Sequence, residues 1–430
     1  MTKTAPSRHP DAPWLVVVLA AVCTGLHIWD LPAAIPFIRA ELSVTLLQAG
    51  ALLGVTQAAG MLAGLVVALL AELIGERRCL LAGLALVSLG SAWGAASQSV
   101  PSLMVSRMIE GSGSLLVVVT GPGLIRRSTP QHRINTAIGW WGAFTGIATF
   151  AGLTASALIL QAAPWRLLWW VMTALTMAPV PLVLACVPRD QPRSAAGAVT
   201  AARRVGVTVR SLKPWVAGLI FACYTIQWMT VVGFLPTMYS GSGLTGIWPG
   251  MLSAVVGAIG AIGAVGAIGT APLLQRGVPA RALLIGGFAA MAATSLLTFA
   301  IHWASLPAGL IFEVACVSAF SLLGGAIPAT LFRIAVDLAP PAGSAPATIG
   351  LMQQIFNAGS VTGPAIAAWL ATRTGGWQST WWMTCTFAAL GSLLSLYPGG
   401  SRLGVAFGTR GQVITGGATA GHAEEMSKIF

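Results

Sequence analysis

Charge is what this sequence has least of. Asp, Glu, Lys and Arg make up 8% of its 430 residues, against roughly a quarter in soluble domains. Apolar residues make up 56%. So little charge cannot cover a water-exposed surface, and the chain reads as a membrane protein. Its balance of +12 would suggest nucleic-acid binding in a soluble protein. Here the position of the cations matters more than their sum, and no nucleic-acid partner is expected. Cys23, Cys79, Cys186, Cys223, Cys316 and Cys385 all fall in apolar stretches without a C-x-x-C pair. They read as buried free thiols rather than a disulfide framework. No G-x-x-x-x-G-K-[ST] loop is present, so ATP does not drive the protein directly. There is no H-E-x-x-H, and the five histidines are scattered; neither metal nor cofactor is expected. No nucleophile and base share one depth, so no enzyme is expected.

What the sequence does contain is apolar runs. Twelve of roughly 20–25 residues can each cross about 30 Å of hydrocarbon at 1.5 Å per residue. They lie near 14–37, 45–70, 79–98, 102–126, 135–160, 166–187, 215–238, 247–272, 281–303, 306–332, 347–372 and 378–397. The first follows Lys3 and Arg8 but is too long for a signal peptide and reads as a span. With the N-terminus in the cytoplasm, Arg39, Arg166 and Arg373 fall outside and Arg107 lies within a span. Every other Lys and Arg is then cytoplasmic, the bias that sets orientation. The expected organisation is a cytoplasmic tail (1–13), a six-helix bundle (14–187), a polar cytoplasmic loop (188–214), a second six-helix bundle (215–397) and a disordered cytoplasmic tail (398–430).

The halves repeat. Pro101 and Pro122 bracket span four, and Pro307 and Pro328 bracket span ten at the same spacing. The same shift carries Arg127 onto Arg333. WRLLWW (165–170) and WQSTWW (377–382) share W-x-x-x-W-W, and the loops after spans two and eight share R-x-L-L at Arg78 and Arg281. Both copies start and end inside, so the repeat is parallel. The fold expected is all-α, with twelve transmembrane helices as two six-helix bundles related by a pseudo-twofold axis.

AELIGERR (71–78) between spans two and three, RMIEGSG (107–113) in span four and GSVTGP (359–364) in span eleven resemble motifs of the major facilitator superfamily of secondary transporters. In the first, Glu72 stands for the acid of a cytoplasmic gating signature, Gly75 for its glycine, and Arg77 and Arg78 for its basic pair. Leu73 replaces a usual arginine, and Glu76 a usually basic residue. In the second, Glu110 replaces a usual glutamine, and the resemblance associates Arg107 with proton coupling. The Gly-Pro pair that marks many drug–proton antiporters is absent between Gly146 and Gly152. The ERR loop, the PGLIRR end of span four and the Trp-rich span five are similar to the cyanate and nitroimidazole transporter group. The resemblance implies alternating access, a small-molecule substrate, a proton as partner and a monomer in the cytoplasmic membrane.

Few ionisable residues lie within spans: Asp30, Arg107, Glu110 and Glu313. A charge costs about 2.5–3.5 kcal/mol at a helix centre, so each is a functional candidate. Asp30 and Arg107 sit at similar depth and can pair. Glu110 is three residues after Arg107, on the same helix face. The repeat puts Glu313 at the position equivalent to Arg107, so acid and base are expected to face each other across the axis. Asp30 ranks first as proton carrier, then Glu313 and Glu110; the alternative is a static pair that fixes span four. His27 either relays protons or hydrogen-bonds a neighbour. The resemblance puts further candidates around the cavity: Trp140, Trp141, Gln227, Gln353, Gln354 and Asn357. For the amides helix–helix bonding is the alternative, and for the two tryptophans packing. The tryptophans at 165–170 and 377–382 are expected to be outer-interface anchors. The glycines of GAIGAIGAVGAIG (257–269) are expected to allow close packing. A free Arg107 suits uptake of a small organic anion with protons, slightly favoured. Dominant acids suit proton-driven export of a neutral or cationic compound. A sensor on a transporter scaffold is the reading outside transport.

Overall fold

The computed structural model describes residues 12–397 apart from 131–132, 191–194, 266–269, 336 and 344; the tails expected at 1–13 and 398–430 lie almost wholly outside them. The first bundle contains α1 (Ala12–Leu42), α2 (Leu46–Val55), α3 (Ala58–Ile74), α4 (Glu76–Ala96), α5 (Val100–Ser128), α6 (Ile134–Ala162), α7 (Trp165–Met177) and α8 (Pro179–Cys186). The connecting segment carries α9 (Ala195–Val209). The second bundle contains α10 (Leu212–Gly241), α11 (Trp248–Val265), α12 (Thr270–Gln275), α13 (Ala280–Ala300), α14 (Gly309–Gly324), α15 (Ala326–Ile334), α16 (Ala345–Thr374) and α17 (Thr380–Ser395). Spans two, six and ten are each two helices in series, α2–α3, α7–α8 and α14–α15. Among the described residues nine segments are long and apolar enough to cross a membrane by length and composition.

The break in span two follows from its sequence. Gly54 and the β-branched Val55 and Thr56 are poor helix formers, and the chain turns at Thr56–Gln57 before restarting at Ala58. Span ten breaks at Gly325, just before Pro328, whereas its counterpart α5 runs unbroken through Pro122. The repeat is therefore approximate where the second copy has paired glycines and the first does not. The segment expected as a loop, 188–214, instead holds α9, which packs on α3, α10 and α16.

Small residues let the helices approach. Gly83 of α4 faces Gly113 of α5, and a Cβ on Gly83 would stand 2.7 Å from the Gly113 carbonyl. The bundles meet along α2–α3 against α16, α6 against α11, and α1 against α10. A Cβ on Gly50 would stand 2.7 Å from the Pro364 carbonyl, and one on Gly257 2.5 Å from the Thr149 methyl. The glycines of α11 divide between two neighbours: Gly257 faces α6, while Gly260 and Gly263 face Ser321 and Leu322 of α14. Close packing, as expected, accounts for the glycines from Gly257 to Gly263; Gly266 and Gly269 lie outside the described residues.

Trp165 and Trp169 are a correction. They are 2% and 0% exposed and pack edge to face at 5.3 Å, so they belong to the core, not to an interfacial belt. Spacing alone could not separate them from Trp170 and Trp382, which are exposed: successive residues on a helix are turned about 100° from each other, so Trp169 faces the core while Trp170 faces out.

Candidate functional site

Inside the first bundle, four ionisable side chains meet with no exposure to solvent: His27 and Asp30 of α1, and Arg107 and Glu110 of α5. Arg107 is the hub. One terminal nitrogen, Nη1, lies 2.5 Å from Glu110 Oε2. The other, Nη2, lies 3.3 Å from Asp30 Oδ1 and donates to the His27 carbonyl. Nε donates to Thr56 Oγ1 at 3.3 Å, and the guanidinium stands 5.6 Å from the Trp169 ring centroid, within cation–π range. His27 Nε2 shares a 2.7 Å hydrogen bond with Thr176 Oγ1 of α7, and its Nδ1 is 3.9 Å from both Asp30 and Glu110.

Local sequence builds this arrangement. Pro32 has no N–H to give to the Ile28 carbonyl and its ring crowds that turn, so α1 is loosened next to the carbonyl that Arg107 uses. The span-two break exposes Thr56. Gly111 lets α5 reach it, since a Cβ there would overlap the Thr56 carbonyl. Gly90 of α4 leaves room for Glu110, whose Cγ would be 2.7 Å from an added Cβ. One cation thus ties α1, α2, α5 and α7 together. Two carboxylates share it, and among the described residues no other side chain donates to their four buried oxygens.

Asp30, Arg107, Glu110 and His27 are therefore brought together, while Glu313 is not. Arg107 is enclosed by its own bundle, so acid and base do not face each other across the axis. Glu313 lies partly exposed in the first turns of α14, within electrostatic reach of Tyr239. Trp141 packs on Phe144 at 4.9 Å and against Gly121, inside the first bundle; Trp140 is 50% exposed. Gln227 is buried and donates to Cys223 of its own helix at 2.7 Å. Gln354 donates across the bundle seam to the Met61 carbonyl at 2.9 Å, and Asn357 packs on Gly60, so these amides serve helix contact. Gln353 is half-buried beside them.

Sequence reasoning missed Thr56, Thr176, Trp169 and an aromatic seam between the bundles. Trp29, next to Asp30, meets Trp228 edge to face at 5.2 Å, and Tyr224 stacks on Trp228 at 6.4 Å. Tyr224 and Trp228 are four apart on α10, a helical spacing, but the contact of Trp29 with Trp228 joins residues far apart in sequence and left no local signal.

At the other end of the bundle, Gly75 joins α3 to α4 at φ +103°, a conformation glycine accepts without strain. The Glu72 side chain lies outside the described residues. Asp190, also missed, is the anchor here. Its Oδ1 and Oδ2 accept from the backbone N–H of Arg77 and Arg78, both at 3.1 Å, and Arg127 pairs with it at 3.1 Å. Arg77 itself donates to the Leu184 carbonyl at 2.7 Å. The sequence held a clue: Asp190 is the sole acid in 188–214. Burial pushes its carboxyl up, but the two N–H donors and Arg127 outweigh that and hold it below its ordinary value. The stabilisation is therefore present above the unfolded value near pH 4 and is lost as pH falls through the lower folded one. Asp190→Asn should cost about 1–2 kcal/mol at neutral pH, the scale of a lost helix cap with charge-assisted bonds. In melting curves the gap from the parent should close below pH 4; a gap that stays constant with pH would refute the assignment.

A family model described as Major Facilitator Superfamily matches residues 17–347. The multidrug resistance protein Stp of Mycobacterium tuberculosis is 34% identical over 105 residues, 24% of this chain and 20% of that protein, so the chain spans about a fifth of that relative's length. The chloramphenicol resistance protein of Streptomyces lividans is 25% identical over 390 residues, 89% of this chain and 95% of that protein. A bacterial homolog of the human lysosomal transporter Spinster, solved inward-facing and unoccupied, superposes with a TM-score of 0.74 at 14% identity, covering 91% of this chain and 97% of that one. That likeness concerns the fold.

Proposed function

The chain belongs to the major facilitator superfamily of non-enzymatic membrane carriers, and from that premise we propose that it exports neutral or cationic organic compounds in exchange for protons. The observation that carries this reading is the pair of buried carboxylates around one guanidinium, with no second Lys or Arg to balance them. With both acids ionised, the site holds one uncompensated negative charge out of water, an expensive state. A proton on Asp30 or Glu110 neutralises it. That proton also weakens one of the tethers by which Arg107 joins α1 and α5 to the break at Thr56, so proton movement is linked to helix movement. His27, fixed by Thr176 within reach of both acids, passes the proton between them.

Export is favoured over organic-anion uptake because the free guanidinium that uptake needs is already occupied by two acids. The aromatic seam of Trp29, Trp228 and Tyr224 beside Asp30 suits a lipophilic or cationic solute, and the two relatives, both resistance proteins, point the same way. The distribution of Lys and Arg supports both termini in the cytoplasm, and two bundles in one chain support a monomer.

Ethidium, a cation, and chloramphenicol, a neutral compound, serve as probes. Cells producing the chain should accumulate less of one of them than cells producing Asp30→Asn, and a protonophore should erase the difference. Full proton-driven efflux in Asp30→Asn would remove Asp30 from the mechanism. Proton-stimulated uptake of benzoate with no efflux of either probe would replace export by the anion reading.

A further inference from the structure

The ion cluster lies wholly within the first bundle, so a proton there can move a two-bundle carrier only through a contact that leads out of it. Resting on the proton-coupled reading above, we propose that Trp29, Trp228 and Ser321 are positioning residues that carry the state of the cluster into α14 of the second bundle. Trp29 precedes Asp30 on α1, its Cα about 3.8 Å away. It turns to the seam, where its ring meets Trp228 edge to face at 5.2 Å. Trp228 of α10 donates from Nε1 to Ser321 Oγ of α14 at 3.0 Å. All three are buried, at 2%, 9% and 0% exposure.

Each end of this chain of contacts is held from behind. Gly152 of α6 closes on Trp29, whose Cβ stands 2.9 Å from where a Cβ on that glycine would lie. Gly260 of α11 closes on Ser321, and a Cβ there would overlap the serine hydroxyl. Packing this close leaves Trp29 no room to slide in its pocket. When a proton weakens the Asp30 tether to Arg107, α1 shifts and Trp29 goes with it. Trp228 then either draws Ser321 and α14 along or leaves a buried indole N–H unpaired, which is costly. The charged or titratable side chains facing Asp30 are His27, Arg107 and Glu110. Of the other helices packed on α1, α2, α6 and α8 carry no charged residue, and those of α4, α7 and α10 lie in their first turns. The cluster alone therefore sets the state that Trp29 reports. A separate route leaves the cluster at Thr56, beside the packing of Gly54 on Val361, and ends on α16; it does not pass through Trp228.

The test is hydrogen exchange, read by mass spectrometry on the full-length protein in detergent at one pH, as a double-mutant cycle. Asp30→Asn copies the protonated acid. On the parent it should speed exchange about three- to tenfold both in α1 and in α14. W228F keeps a ring against Trp29 but lacks the N–H. On that background Asp30→Asn should still speed exchange in α1, and should change α14 by less than about twofold. S321A should act as W228F does. W170F removes an indole from an exposed face of α7 and should leave the full α14 response to Asp30→Asn. Acceleration in α14 that persists in D30N/W228F and D30N/S321A would overturn the relay and leave proton coupling standing. So would acceleration confined to α1 in D30N. No acceleration in either helix would sink the coupling reading, and the relay with it. E110Q takes the place of D30N if that variant folds poorly.

Discussion

Arg107→Gln is expected to lower the stability of the protein by about 3–5 kcal/mol, the scale on which an uncompensated buried charge destabilises. The substitution leaves Asp30 and Glu110 facing each other with no cation, only a neutral amide, between them. Arg107→Lys is expected to rescue little. A single ammonium cannot reach Glu110, Asp30, the His27 carbonyl and Thr56 together, because the planar guanidinium presents its donors in a fixed fork that an ammonium lacks. The informative variant is the triple change D30N/R107Q/E110Q. It removes all three charges, with Asn and Gln isosteric for the two acids, so most of the lost stability should return, since replacing a whole buried ion set is often neutral. Proton-driven transport should not return. Melting temperatures in detergent and probe efflux in everted vesicles separate the two quantities. A single Arg107→Gln variant that melts with the parent would mean the cluster is not charged in the folded protein, and the coupling scheme would fall with it.

The second large effect concerns the seam between the bundles. A Cβ at Gly54 would lie 2.6 Å from the Val361 carbonyl oxygen and 2.9 Å from its Cα. Both obstacles are backbone, so neither can rotate aside, and Gly54→Ala should cost about 1–3 kcal/mol as overpacking does. The strain is relieved by parting α2 from α16, so Gly54→Ala should also bias the carrier toward whichever state opens that seam. Hydrogen exchange over 357–364 of α16 should accelerate. Gly60→Ala is the control on the same face. It meets mainly the terminal amide of Asn357, which can swing away, so its effect should be small. Equal behaviour of the two variants would show that the seam is looser than its geometry implies.

Class, spans and repeat were legible in the sequence because each follows from a local or periodic property: hydrocarbon excludes charge over a fixed length, and a duplicated unit keeps its punctuation. The pairing of Arg107 with Glu110 was legible for the same reason, since residues three apart share a helix face. The placing of Glu313 was not. The repeat matches its position in sequence to that of Arg107, but position on a helix does not fix whether a side chain points into its own bundle or toward its partner.

What the sequence determined by itself is that this chain fills a bilayer with two related helical units and keeps a few charges inside them. Only the tertiary structure decided that Asp30, Arg107 and His27 form one dry cluster with Thr56 and Thr176, that Asp190 caps α4, and that Trp165 and Trp169 are core. Each of those facts is a meeting of residues from different helices. It depends on which face each helix turns and how closely glycine allows it to approach, and no single segment carries that information.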